Sequence, residues 1–144
     1  MSNSGTTATE YSTYEMSVAL QDTVPDKDTN FDALPQSERY EFVFGPKQGY
    51  DGLGASVSLS DIESVAQEKK HMFFWGWVVY RDVFSGTPIR LSEFCLNMTN
   101  PQWQKPDHTA QPGYISMTNL PCHETHNCYD DNCSDYSKRI EGFK

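Results

Sequence analysis

The 144-residue chain carries a formal net charge of −9, with eight Phe, eight Tyr and three Trp supplying much of its apolar content. That length fits one domain with a real core, and the aromatic bias favours sheet over helix. The acidity argues against direct binding to nucleic-acid phosphate, and no run of eighteen apolar residues is present to span a bilayer.

In chain order, "MSNSGTTATE" is rich in Ser, Thr, Asn and Gly and lacks the basic and apolar regions of a signal peptide. Residues 1–10 therefore read as a flexible lead or a truncated first strand. In "YSTYEMSVAL", Tyr14, Met16, Val18 and Leu20 alternate, the period of a half-buried strand. An Asp-rich loop with two prolines follows, then a second strand in "YEFVF". The four glycines of "GPKQGYDGLGAS" read as a loop, because the Gly-Lys-Ser/Thr ending of a phosphate loop is missing. Ser60 and Glu63 have the spacing of a capping box, and Lys69 and Lys70 are expected at the C-terminal end of the helix it opens.

"HMFFWGWVVYRDVF" is apolar on both alternating faces, so a central strand covered on each side is predicted. "SGTP", with Gly86, makes the turn to "IRLSEFCLNM"; pairing Val83 with Ile89 sets Arg81 opposite Leu91 and Trp77 opposite Cys95. Arg81 and Asp82 are neighbours on a strand, point to opposite faces and cannot pair with each other. A structural role is predicted for both, Asp82 accepting N–H groups of the turn and Arg81 reaching a carboxylate or carbonyl. One further strand, "YISMTNL", precedes a polar tail. The expected organisation is a β-sandwich over residues 11–120 with one short helix and long loops, and a Cys-rich tail over 121–144 packed on it.

Three of the four cysteines lie in "PCHETHNCYDDNCSDYSKR". Disulfides among Cys95, Cys122, Cys128 and Cys133 would restrain a segment that cannot bury itself, at least one of them joining two of the three tail cysteines. The alternatives are zinc held by Cys122, His126, Cys128 and Cys133, with gaps unlike those of zinc knuckles, and free thiols. Asp130, Asp131 and Asp135 lack the order and glycine of a calcium loop. Asn97-Met98-Thr99 and Asn132-Cys133-Ser134 match the glycosylation sequon. No G-x-S-x-G elbow occurs, and His71, at a helix-to-strand junction, reads as a surface or capping histidine. No catalytic set and no cofactor are called.

"FFWGWVVYRDVFSGTPIRLSEFC" resembles the C-terminal soluble domain of a broad group of uncharacterised bacterial membrane-anchored proteins, in which an aromatic-Gly strand leads into Tyr-Arg-Asp-Val-Phe, a Gly turn and a return strand ending Phe-Cys. "FGPKQGYDGLGASVSLSDIES" is similar to the loop and short helix before that hairpin. "NSGTTATEY" is similar to its Asn-x-Gly-x-Thr-Pro-Ala strand end, with Ala8 where the Pro stands. The resemblance runs from Asn3 to Cys95 with gaps and extends to the Cys-rich tail. It implies an Ig-like antiparallel β-sandwich, anchoring through N-terminal membrane helices ahead of the domain, Met1 opening a segment cut from a longer chain, and no catalytic residues. The expected function is a non-enzymatic interaction or scaffold module with a protein partner, on the envelope side in preference to the other, or in the cytoplasm if Met1 is the native start. The rival is a small acidic, phage-type inhibitor that occupies a basic nucleic-acid-binding surface, motivated by twelve acids against five bases in residues 1–70.

Overall fold

The computed structural model describes residues 6–31, 39–48, 56–104 and 114–143. The architecture is mainly β. Strands β1 (Thr9–Gln21), β2 (Arg39–Phe42), β3 (His71–Asp82), β4 (Arg90–Gln104) and β5 (Tyr114–Pro121) form one antiparallel sheet in the order β2-β1-β3-β4-β5. A two-residue strand β6 (Cys128–Tyr129) pairs with β4 at Ser92 and Glu93. Helix α1 (Leu59–Ala66) lies in the connection from β2 to β3, which are parallel to each other with β1 between them. The short helix α2 (Tyr136–Ile140) ends the chain's regular structure, apart from a 3₁₀ turn at Glu141–Phe143.

The two faces of the sheet follow from its register. Met16, Gly76 and Phe94 occupy one row, as do Tyr14, Val78 and Ser92; the alternate rows place Ala19, Phe73 and Asn97, or Glu15, Trp77 and Glu93, on the other face. Tyr14, Met16, Val18 and Leu20 do share a face, as their alternation requires. Thr13, Glu15, Ser17 and Ala19 are buried all the same. β1 is thus covered on both sides, which its alternation hid. Gly76 permits its close approach to β3: a Cβ there would overlap the Glu15 carbonyl oxygen and meet Met16 Cα.

The face carrying Trp77, called here the tail face, holds two apolar clusters. Ala19, Phe73, Trp75 and Cys95 pack with Phe31 and Cys122; Trp77, Val79, Leu91 and Cys133 pack with Ile89, Cys128, Tyr136 and Phe143. The covering residues come from the loop after β1, from the C-terminal segment and, at Ile89, from the β3–β4 connection. Each fully buried large side chain contributes about 1.5–3 kcal/mol, so the tail is an integral layer of the core. On the opposite face Tyr14 stacks on Tyr40 at 5.4 Å and meets Phe42 at 4.8 Å, and Phe42 meets Phe44 at 4.2 Å.

Three local expectations change. The helix cap is Ser58, not Ser60: two residues earlier than expected, its hydroxyl accepts the Asp61 N–H at 3.1 Å and donates to the Asp61 carboxylate at 2.6 Å, a side-chain bond where a capping box has the carboxylate accept the cap's backbone N–H. The helix ends before Lys69 and Lys70. Glu68 turns left-handed at φ 56°, its N–H bonds Val65, and the Lys69 N–H bonds Ser64, the Schellman pattern with Glu where glycine is usual. The β3–β4 register is displaced by two residues, with Trp75 opposite Cys95 and Trp77 opposite Glu93. A two-residue shift keeps every side chain on its face.

The β3–β4 connection is longer than a tight hairpin. Residues 83–89 lie outside both strands, and the turn within them closes when the Thr87 N–H bonds the Phe84 carbonyl at 3.3 Å, Gly86 taking φ +83° at the third position. Beyond Met98, β4 leaves β3 and continues with β5 alone as a two-stranded ribbon. A bulge between Thr99 and Gln102, with Asn100 at φ 50°, re-aims that ribbon.

Candidate functional site

One row of the tail face runs from β2 across β1, β3 and β4 to β6. Arg39 on β2 stands opposite Glu15 on β1, Glu15 opposite Trp77 on β3, Trp77 opposite Glu93 on β4, and Glu93 opposite Cys128 on β6. Two carboxylates thus flank a tryptophan that is 2% exposed. The side chain of Glu15 is 6% exposed and faces the Arg39 guanidinium at 3.8 Å. Glu93 meets Arg139 of α2 at 3.3 Å, and Arg139 also reaches Asp135, one helical turn back, at 3.3 Å. Both guanidiniums lie over the indole, Arg39 at 5.0 Å and Arg139 at 5.3 Å from its centroid. A carboxylate buried this deeply is tolerated because a cation stands beside it.

Next to this row a cleft of ≈ 240 Å³ opens between β2 and the end of α2, walled by Arg39, Glu41, Trp77, Lys138, Arg139 and Phe143. Phe143 stacks on Tyr11 at 5.6 Å, and the Tyr11 hydroxyl donates to the Phe143 carbonyl, so the last residues are tied to β1. Burial pushes the Tyr11 hydroxyl pKa above its ordinary value, against the lowering effect of Arg81. A larger cleft of ≈ 650 Å³ borders the end of α1 and the bulge of β4, with His71, Glu68, Asn97 and Asn100 in its wall.

The cysteines pair as Cys95–Cys122, with Cα atoms 5.4 Å apart, and Cys128–Cys133, with Cα atoms 5.2 Å apart. The first ties β4 to the start of the tail, and the second closes the loop that carries β6. The set Cys122, His126, Cys128 and Cys133 is not assembled for zinc. Cys122 is bonded to β4, and His126 turns away, its Nε2 bonding the Asp26 carbonyl at 2.7 Å and its ring meeting Phe31 edge-on at 4.6 Å. Of the three tail aspartates, Asp130 accepts from Arg90 at 2.6 Å and from the Leu91 N–H at 3.0 Å, and Asp135 pairs with Arg139. The charge-assisted bond from Asp130 raises the pKa of Arg90 further.

Arg81 finds a carboxylate: its Nε donates to Glu10 at 2.8 Å, and its guanidinium lies 5.5 Å from the Tyr11 ring centroid. Asp82 does not organise the turn through its carboxylate. Among the described residues the turn is bonded by the Thr87 hydroxyl, which donates to the Phe84 carbonyl at 2.8 Å and, at 3.4 Å, to the backbone carbonyl of Asp82. His71 stacks on Phe73 at 6.2 Å. Asn97 is half-buried in a strand paired on both sides, whereas Asn132 is exposed in the 3₁₀ turn Asp130–Asn132.

Fold and site together define a single antiparallel sheet closed on one face by a disulfide-bonded C-terminal layer. No protein-family model matches the chain, and no curated protein or solved structure does either. Among the described residues no helix is long and apolar enough to cross a membrane.

Sequence reasoning missed Glu15, Arg39, Glu93 and Arg139. A Glu inside an alternating strand ordinarily marks the solvent face, and the four are joined only through the register of β2, β1, β3 and β4 and the docking of α2. The available signal was charge in strands that are otherwise apolar.

Proposed function

We propose that this chain is a non-enzymatic, extracytoplasmic interaction domain of a bacterial membrane-anchored protein, recognising a protein rather than nucleic acid. The observation that carries the reading is the β4–β5 ribbon. Past Met98 it has no third strand among the described residues, and it presents Trp103 and Tyr114, each 60% exposed, with Ile115 beside Trp103 in the register. Large aromatics held in water on a two-stranded arm are the residue types that anchor protein interfaces. The cysteine pairs favour an oxidising compartment. The Arg139–Glu93 pair beside Trp77 acts within this reading as a lock for the tail, since its charges are spent on one another.

The Ig-like sandwich and the N-terminal anchor implied by the resemblance belong to this proposal. A second sheet would have to come from outside the described strands. The test is capture from a solubilised envelope fraction of the native host, with Trp103→Ala/Tyr114→Ala as the comparison. Loss of the captured protein, with unfolding stability within about 0.5 kcal/mol of the parent, supports the ribbon as the docking arm. Undiminished capture by the double variant overturns that role, and a salt-sensitive complex with a nuclease or polymerase points instead to the acidic-inhibitor reading.

A further inference from the structure

We propose that reduction of the Cys128–Cys133 bond creates a metal site for zinc or a similar thiophilic divalent cation, with Cys128, Cys133 and Glu93 as its three protein ligands. The three donor atoms lie within 4.8 Å of one another, and Cys128 Sγ stands 3.6 Å from Glu93 Oε2. Tetrahedral zinc, with Zn–S about 2.3 Å and Zn–O about 2.0 Å, sets a sulfur and an oxygen ligand about 3.5 Å apart. The carboxylate is therefore already placed for one edge of such a tetrahedron. The two sulfurs must separate and Cys133 must meet the same cation, and each sulfur is carried by a side chain with its own χ1 rotation.

The surroundings favour the site. Glu93 is held in place by β4, and its other oxygen faces Arg139, which orients the carboxylate as outer-shell partners of metal ligands do. A divalent cation that binds with release of the two thiol protons leaves the net charge of the site unchanged, in a layer where Cys133 is buried and Glu93 and Cys128 are partly buried. Backbone bonds hold the chain on both sides of Cys133: the Cys133 N–H bonds the Asp130 carbonyl and the Tyr136 N–H bonds the Cys133 carbonyl, neither of which needs the disulfide. Among the described residues the Cys95–Cys122 pair has no such third donor.

The chemistry balances simply. A dithiol reductant gives two electrons and two protons to the Cys128–Cys133 bond and leaves as its own disulfide; the cation then displaces the two thiol protons and takes the thiolates. Bridge and metal are mutually exclusive states of the same two sulfurs. This inference does not depend on the docking role of the ribbon.

The experiment is titration of the full chain with Co²⁺ and then Zn²⁺, after reduction by a phosphine that is removed under nitrogen. Expected is one equivalent of cobalt with a thiolate-to-metal charge-transfer band, displaced by zinc, and no such band in the oxidised protein. The band disappears in Cys128→Ser and in Cys133→Ser, survives in Cys95→Ala/Cys122→Ala, and needs at least about ten-fold more metal in Glu93→Gln. A band that persists without Cys128 and Cys133, or that vanishes only without Cys95 and Cys122, overturns the assignment. Circular dichroism of the same samples covers loss of structure on reduction: zinc restores order if the site exists, and a reduced chain that gains neither metal nor structure overturns it.

Discussion

Around Trp77, strands β1, β3 and β4 stay in register without interruption from Met72 to Tyr80, each backbone group of β3 facing a neighbour on both sides. The segment from Cys122 to Phe143 meets the sheet quite differently, through the two rungs of β6, the Cys95–Cys122 disulfide, the Arg139–Glu93 and Asp130–Arg90 pairs and a few aromatic contacts. The centre is specified by apolar periodicity, which acts at every residue. The tail is specified by a handful of point attachments, each of which acts alone. Yet both contribute to one core, because Cys133 and Tyr136 of the tail cover Trp77 and Val79 of the centre. Tail perturbations should therefore be graded and separable, whereas those in the centre should be close to all-or-none.

The strongest way to break the centre is to add one carbon at Gly76. A Cβ there meets the Glu15 carbonyl and Met16 Cα, both backbone atoms of a paired strand that cannot move without displacing the register. Gly76→Ala is expected to cost about 3 kcal/mol or more, the range of core overpacking with backbone strain. Urea unfolding measures it; a variant within 1 kcal/mol of the parent, by the ordinary scale of surface substitutions, would mean that β1 and β3 separate more easily than their packing implies.

Disulfide removal probes the tail by steps. The Cys95–Cys122 bond spans 27 residues and Cys128–Cys133 spans 5. In the chain-entropy account these loops correspond to about 3.5 and about 2 kcal/mol. Cys95→Ala/Cys122→Ala should therefore lower stability more than Cys128→Ala/Cys133→Ala, with both proteins still showing the near-ultraviolet signal of a packed Trp77. Equal losses would place the stabilisation in local packing instead of loop closure.

How much of this could be read beforehand varies with the kind of interaction. β3 was legible because Met72 to Val79 are apolar on both faces, and the cysteine pairs were legible as a class because a polar tail with three cysteines needs covalent help. The register was not. Gly86 locates the turn, but nothing in "VFSGTPI" says that Pro88 and Ile89 remain outside the ladder. The helix cap was ambiguous for a related reason: Ser58 with Asp61 and Ser60 with Glu63 satisfy the same spacing rule, and the choice between them depends on which serine is left extended. The charged row across Trp77 was invisible, since Glu15, Arg39, Glu93 and Arg139 become neighbours only after four elements have found their places. Strand periodicity speaks about single elements, and this site belongs to their assembly.

Asp82 and Asp130 sharpen that point as a pair. From sequence, Asp82 is the natural turn acceptor; in the fold, Asp130 takes the Leu91 N–H and the Arg90 guanidinium at the start of β4 while the Asp82 carboxylate bonds none of the described turn groups. Asp130→Ala is expected to cost about 1–2 kcal/mol for the lost charged acceptor, discounted because Arg90 is half exposed, and Asp82→Ala less than about 0.5 kcal/mol. Thermal unfolding of the two variants side by side decides it. The reverse ranking would return the organising role to the turn.

The smallest effect expected lies where β1 ends and β3 begins. Gln21 and His71 form the last rung of that pair, and just beyond it Lys70 Nζ stands 2.7 Å from Asp22. The hydrogen bond from Lys70, reinforced by its charge, lowers the Asp22 pKa below the ordinary 3.8. A carboxyl with a depressed folded pKa binds its proton more readily when unfolded, so its stabilisation is fully present above the unfolded value, falls as pH drops through the folded one, and is absent in stronger acid. The pair is open to solvent, so salt should screen it and the contribution should be slight. Asp22→Asn should therefore shift the urea midpoint a little at about pH 6 and low salt, and not at all at about pH 2 or in molar salt. A shift that is undiminished in acid would show that Asp22 supports the strand end through its shape and local hydrogen bonding, and that the charge of Lys70 is incidental to it.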